Sequence, residues 1–201
     1  MKITWYGHSC FRLESVYGSV VFDPYEDGFP KGLRLPPLEA DLVICSHSHG
    51  DHCAEGRISL TGREPECRTE QLFTWHDAEG GAKRGMNTVT VVSMEGLRVA
   101  HLGDLGHELS APQLRALGHI DALMLPVGGF YTIDAATARR VADAVSPNIV
   151  IPMHYRGEGF GLDELDTVDK FAALSPDVEY LDGNSLEIRR GERKRTVVFS
   201  L

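Results

Sequence analysis

Four metal-capable side chains fall within one short run, His47-Ser48-His49-Gly50-Asp51-His52, one residue after the apolar stretch Leu42-Val43-Ile44-Cys45. No other feature constrains the fold and chemistry of the chain as tightly. Neutral imidazole nitrogen and carboxylate oxygen suit zinc and the later first-row divalent ions. The spacing excludes the helical zinc pattern, where two histidines stand four apart on one face with a glutamate between. In a loop leaving a strand, positions i and i+2 can turn to one ion while i+4 and i+5 turn to a second. Gly50 is expected to supply the sharp backbone of that loop. The plain alternative, a solvated polar turn, rarely collects three histidines and an aspartate in so short a run.

The rest of the chain is compatible with a small enzyme. At 201 residues, with 42% hydrophobic and 24% charged residues, it has the length for one domain, residues 1–201, around a real core. A net charge of −9 argues against nucleic acid as a partner, because phosphate-backbone binding needs clustered Lys and Arg. A phosphorylated small molecule stays open, since bound divalent ions reverse the local charge. No apolar stretch approaches the ~20 residues of a membrane helix. The opening MKITWYGHSCF alternates like a strand and lacks the apolar core of a signal peptide. Cys10, Cys45, Cys53 and Cys67 form no CxxC pair, so the expectation is reduced thiols in a cytoplasmic protein. Cys53 follows the histidine cluster, whose members already supply a full ligand set.

Pattern reading divides the chain without finding a linker or repeat. Residues 2–13 and 19–22 read as a hairpin, 41–45 as a buried strand, and 88–94 with 97–102 as a hairpin over Glu95-Gly96. Helices are expected over 112–117, 135–145 and 164–174, alternating with strands over 122–125 and 149–152. In the middle helix Ala138, Val141, Ala142 and Val145 make an i, i+3, i+4, i+7 stripe, with Asp134 as N-cap and Pro147 as stop. Short strands over 178–181, 186–188 and 196–199 close the chain. Such a mixture suits an α/β protein of two sheets covered by helices, but the pattern leaves the strand order open.

His-x-His-x-Asp-His after a strand resembles the hallmark of the metallo-β-lactamase superfamily. Further segments resemble that family in the same order. Trp5-Tyr6-Gly7-His8-Ser9 and Val21-Phe22-Asp23-Pro24 come first, then Thr74-Trp75-His76 with the glycine- and basic-rich residues 80–87. Leu102-Gly103-Asp104 and Ile151-Pro152-Met153-His154-Tyr155 complete the set, which spans about residues 3–155. Within the superfamily the chain is most similar to L-ascorbate-6-phosphate lactonase-like metal-dependent hydrolases. The resemblance implies a four-layer αββα sandwich with metals at the sheet edges. It assigns His47, His49 and His76 to one metal, Asp51, His52 and His154 to another, and Asp104 to both. Two ions about 3.5–4 Å apart can share a hydroxide that attacks at neutral pH, and Asp51 is placed to orient it as a catalytic carboxylate. His at position 49 departs from the His-x-Glu-x-Asp-His of the di-iron oxidoreductase branch, and Asp at 104 suits a two-metal hydrolase.

The implied function is dinuclear hydrolysis of a small, anionic lactone, ester or phosphodiester. Zinc is the default metal and manganese the alternative. A nuclease and a non-catalytic metal-binding module are the rival readings. Several neighbours are candidates for substrate or outer contacts. His101 shares an apolar run with Asp104 and is read as buried beside the site, His107 as lying near the cleft. His8 is expected in the site wall, Asp23 as an acceptor for a ligand histidine. Tyr131 lies in a substrate-facing loop after Gly128-Gly129. Tyr155 and Arg156 follow His154 closely enough to reach substrate. Specificity is expected from loops 26–37, 55–71 and 157–163. No membrane partner is expected, and oligomeric state, a homo-oligomer included, stays open.

Overall fold

The computed structural model describes residues 1–201. The chain opens with β1 (Lys2–Trp5), β2 (Phe11–Ser15) and β3 (Gly18–Phe22), then, after a long connection, β4 (Leu38–Ala40) and β5 (Leu42–Ile44). Next come β6 (Ile58–Leu60), β7 (Arg68–Trp75), β8 (Met86–Met94) and β9 (Leu97–His101). The second half alternates through α1 (Ala111–Leu117), β10 (Ala122–Pro126), α2 (Ala135–Val145), β11 (Ile149–Met153) and α3 (Asp169–Ala172). It closes with β12 (Val178–Tyr180), β13 (Ser185–Glu187) and β14 (Arg195–Val198).

Two sheets carry the fold. One runs β13-β1-β2-β3-β5 and the other β12-β14-β11-β10-β9-β8-β7, while β4 and β6 form a separate ribbon. The hairpin β8–β9 turns at Glu95-Gly96 as its sequence expects, and β9, β10, β11 and β14 run parallel. Every residue of β10 and β11 is buried, as parallel strands covered on both faces require. A single hydrophobic cluster joins Ile3, Phe11 and Phe22 of the first sheet to Val91, Leu123 and Ile151 of the second. Truncating one such buried aromatic, Phe22→Ala, removes about 3–5 kcal/mol. Along β3, Val20 and Phe22 enter this core, while Val21 points to a smaller cluster with Tyr25, Leu35 and Ala40 on the outer face. Loop and ribbon thus cover the first sheet, whereas all three helices pack into the core of the second.

Local chemistry explains the helix boundaries. In α2 the Asp134 carboxylate accepts from Thr137 N at 2.8 Å, and Ser146 ends the helix in the left-handed region before Pro147. The expected helix over 164–174 shrinks to Asp169–Ala172. Tertiary partners occupy the backbone before it: Arg156 Nε donates to Leu165 O, Asp166 N donates to Gly128 O, and Asp166 O accepts from Arg156 N. Two strand expectations change as well. Residues 2–13 are two antiparallel strands, broken by a turn at 6–10 in which Gly7 and His8 take φ of +97° and +49°. Part of the expected loop 55–71 belongs to β6 and β7, and β7 is an edge strand with most of its residues exposed.

The expectation of four reduced thiols does not hold. Cys45 and Cys53 form a disulfide with Cα atoms 5.3 Å apart; Cys10 and Cys67 are free. The chain leaves β5 at Cys45, makes the histidine loop and folds back, with Cys53 N donating to His49 O, so both cysteines meet at the loop base.

Candidate metal centre

Six strands deliver the site. His8 follows β1, Asp23 β3, the His47–His52 loop β5, His76 β7, Asp104 β9 and His154 β11, each starting within three residues of the strand end. The strands fix the backbone at each exit, and the short excursions aim side chains from sequence-distant segments at one point. Three of these exits, at His8, Asp23 and His154, have non-glycine residues at φ of +49°, +43° and +54°. Left-handed backbone at such residues costs about 1–3 kcal/mol each and persists where tertiary contacts over-determine it.

The donors fall into two groups that meet at Asp104. His47, His49 and His76 form one, with His47 Nε2 and His49 Nδ1 3.0 Å apart. Asp51, His52 and His154 belong to the other, joined by His8. Asp104 Oδ2 lies 3.1 Å from His76 Nε2 and 3.2 Å from His154 Nε2, while Oδ1 lies 3.2 Å from His52 Nε2. These separations are those of neighbouring donors on a shared ion, at bond lengths of about 2.0–2.2 Å. His52 Nε2 and Asp104 Oδ1 are buried and have no hydrogen-bond partner in the protein. With His52 Nδ1 carrying the proton shared with Asp23, both atoms present lone pairs, and two orphaned electron-pair donors facing one another fit a cation between them.

Electrostatics agree with that fit. Burial holds His8 down to about 3, with His154 beside it adding to the effect, and burial beside His52 lowers His47 to about 4. Both rings are therefore neutral at pH 7, the form that ligates metal. Burial opposes charge on His52 too, but Asp104 and Asp23 on its two sides raise it well above the imidazole range. A cation at its Nε2, proton or metal ion, satisfies both carboxylates. Burial pushes Asp104 up, yet His154 and His52 hold it well below the carboxylate range; Asp51 is likewise depressed against burial, chiefly by His8.

Outer contacts fix the donors. Asp23 Oδ2 accepts from His52 Nδ1 at 2.7 Å and from Ser46 Oγ at 2.6 Å, and Ser46 Oγ accepts from His47 Nδ1 at 3.0 Å. One buried carboxylate thereby orients a histidine of each group. Asn87 Oδ1 accepts from Asp104 N at 2.8 Å, while its Nδ2 donates to Leu102 O and Thr74 Oγ1. Gly103 lies at φ +53°, where a Cβ would come within 2.3 Å of Asn87 Oδ1 and 2.5 Å of Ser46 Cβ. The Asp77 carboxylate, after His76, accepts from the backbone of Glu79, Gly81, Lys83 and Arg84; these bonds overcome burial and hold it at about 2. Gly50 has no left-handed backbone, and a Cβ there would rest against Phe29 at 3.8 Å, so the sharp geometry lies elsewhere.

The remaining candidates separate cleanly. His101 is buried and donates from Nε2 to Ser9 O at 2.9 Å while Nδ1 accepts from Gly103 N, and its ring stacks on Phe22. Both nitrogens are spent on bracing loops, and none is left for metal. His107 also uses both, accepting from Trp75 N and donating to Glu108 O. Tyr155 turns into the core against Trp5, and Arg156 is tied to Leu165 O, so neither reaches the cleft. Tyr131 does, together with Phe29 and Leu162, which wall a cleft of about 520 Å³ floored by His49, Asp51 and His154. Of the three expected specificity loops, those carrying Phe29 and Leu162 line it and residues 55–71 do not.

Sequence reasoning missed Ser46, Asn87, Asp77 and Arg84. Asn87 carried a signal: it stands in register with Val89 and Val91 on the buried face of β8, where an amide must have partners. Arg84, whose guanidinium lies 5.4 Å over the Tyr131 ring, carried none beyond its basic neighbourhood.

Fold and donor set define a metallo-hydrolase architecture, and comparison with known proteins agrees. The chain belongs to the β-lactamase superfamily, whose domain family matches residues 2–154. It is a metal-dependent hydrolase of that superfamily. It is 29% identical to a UPF0173 metal-dependent hydrolase of Archaeoglobus fulgidus, over 84% of this chain and 88% of that one. It is 30% identical to a UPF0173 protein of Pyrococcus abyssi, over 80% and 86%. A crystal structure from Thermotoga maritima, of a proposed zinc-dependent hydrolase of the metallo-β-lactamase superfamily, superposes with a TM-score of 0.79 at 35% identity, covering 98% of both chains. The metallo-hydrolase Igni18 of Ignicoccus hospitalis shares the fold at 20% identity, with a TM-score of 0.66 over 94% of this chain and 99% of that one. The α/β sandwich of the metallo-β-lactamase type expected from the sequence is the fold found, with loops and the β4–β6 ribbon instead of helices over the first sheet.

Proposed function

We propose that the protein hydrolyses a small anionic lactone, ester or phosphodiester in the cytoplasm with two divalent ions, zinc by default and manganese as the alternative. The observation that carries this reading is the meeting of two donor groups on the two oxygens of Asp104, at the floor of the cleft. His47, His49 and His76 would hold one ion and Asp51, His52 and His154 the other. Bound there, the ions supply Lewis-acid polarisation and a water of lowered pKa.

The chain's own groups do the rest. Asp51 stays ionised at neutral pH and borders the cleft, where its carboxylate orients the attacking water and receives its proton. Asp23 and Ser46 hold the rings of His52 and His47 in place, and Asn87 holds the Asp104 backbone. Phe29, Tyr131 and Leu162 shield the reacting bond from bulk water. Arg84 does not line the cleft itself, but its guanidinium lies over the ring of Tyr131, which does, and would supply the nearby cationic group that an anionic substrate needs.

Elemental analysis of protein purified without chelator, paired with a screen of lactones, phosphodiesters and thioesters, tests the proposal. The expected result is close to two divalent ions per chain and turnover of one class. A plateau at one ion under excess zinc or manganese removes the two-metal mechanism. Fully metallated protein that hydrolyses nothing faster than free ions is a binding module.

A further inference from the structure

His8 is absent from the seven ligands just assigned, yet its geometry matches theirs. It is fully buried; its Nδ1 has no partner, and its Nε2 meets only the Asp51 carboxylate, at 3.3 Å. Leaving a buried ring nitrogen unsatisfied costs about 1–3 kcal/mol, so a buried imidazole of this kind needs an explanation. Its Nε2 lies 3.3 Å from Asp51 Oδ2, inside the 3.2–3.7 Å range that separates His52 Nε2 from Asp104 and Asp51. Its ring centre is 4.1 Å from that of His154 and 5.0 Å from that of His52. One donor atom from each of His8, Asp51, His52 and His154 fits within a sphere of contacts no wider than 4.8 Å.

The backbone holds it there deliberately. His8 takes a left-handed φ of +49°, and its carbonyl accepts from Trp5 Nε1 at 3.0 Å and from His154 N at 3.2 Å. The next carbonyl, Ser9 O, accepts from His101 Nε2. A strained residue clamped on both sides, and bonded to the backbone of a ligand, is a functional position rather than a loose turn. His76 and His154 likewise leave Nδ1 without a protein partner, so His8 resembles two of the assigned ligands in this respect.

We propose that His8 is a direct ligand of the second metal site, its imidazole joining Asp51, His52, His154 and Asp104. The proposal rests on the two-metal reading above. The second site is then a five-donor set of three nitrogens and two carboxylates, which accommodates ions that prefer more than four ligands. The first keeps three histidines and the shared Asp104. The two sites therefore differ in coordination number as well as depth.

Zinc titration of metal-free wild type, His8→Ala and His8→Gln, in competition with a chromogenic chelator, tests it. Wild type should show two sites. Both variants should keep the first-site affinity and lose more than about 100-fold at the second, beyond the ~10–100-fold of an outer contact. Cobalt loading should show a changed visible spectrum for the second ion alone. His8→Gln can still hydrogen-bond Asp51, so a glutamine that restores what alanine loses makes His8 a positioning residue and overturns the proposal. Two sites of wild-type affinity in both variants also overturn it. Should the variants not fold, wild type loaded with cadmium and labelled with nitrogen-15 histidine decides: cadmium–nitrogen coupling at His8 supports ligation, and coupling at His52 and His154 alone excludes it. Wild type that takes only one ion fails the two-metal reading itself, a result separable from loss of His8 alone.

Discussion

The two donor groups around Asp104 differ in depth. In the first, His76 is buried, His47 half-buried and His49 exposed; in the second, His8, Asp51, His52 and His154 are all buried. The shallow group draws on two loops and opens towards solvent. The deep group draws on three and is held by Asp23, by the clamp on His8 and by the core. Exposure favours ion exchange and substrate access, while burial favours retention, since a buried ligand set loses more on release of its ion. In the two-metal reading proposed above, the first group would be the entrance and the second the anchor.

Four experiments break or sharpen that contrast. The largest effect is expected at Asp51, where Asn keeps the shape but loses the charge: turnover should fall by about 10²–10⁴-fold. Metal content on the same sample separates a catalytic carboxylate, with both ions kept, from a ligand, with the deep ion lost. Unchanged turnover at full occupancy removes Asp51 from the mechanism.

The disulfide comes next, because it closes the loop that serves both sites. Cys45→Ser with Cys53→Ser should cost about 2–3 kcal/mol in urea unfolding, and both metal affinities should fall together. If only one falls, the loop is not a shared unit and the two donor groups are held independently.

Asp23→Asn should weaken metal binding by about 10–100-fold. The deep site should suffer more, since Asp23 touches His52 directly and His47 only through Ser46. Equal losses in a two-site titration would contradict that order. The smallest effect belongs to Arg84→Ala. A half-exposed charge contact is worth up to about 1 kcal/mol, so KM for an anionic substrate should rise about 2–5-fold with kcat unchanged. Equal KM for charged and neutral substrates before and after the change would take Arg84 out of recognition.

Legibility followed the range of the interactions. The loop His47 to His52 could be read because its donors are covalent neighbours and their spacing states how they divide. Helix α2 was readable because its apolar stripe, N-cap and stop are all local. Strand β7 was not: its burial alternates from Glu70 to Trp75, but apolar Phe73 and Trp75 stand on the exposed face of this edge strand and Glu70 and Thr74 on the inner one, so the sequence shows no apolar period of two. Helix α3 was overestimated because residues 165 and 166 bond to Arg156 and Gly128, partners that no local pattern announces. The cysteine expectation failed for the same reason, since spacing did not say that the chain returns to Cys45 at Cys53.

By itself, then, the order of residues determined the donor types, their grouping in the His47–His52 loop and the buried strands that carry them. These depend on covalent adjacency and on hydrophobic periodicity, which are written along the chain. Only the tertiary structure decided that His8 faces Asp51, that one carboxylate at Asp23 serves His52 and His47, and that Asn87 pins Asp104. Those contacts join the exits of β1, β3, β5 and β9 and the start of β8, and their distances are set by how two sheets pack, a property of the whole core.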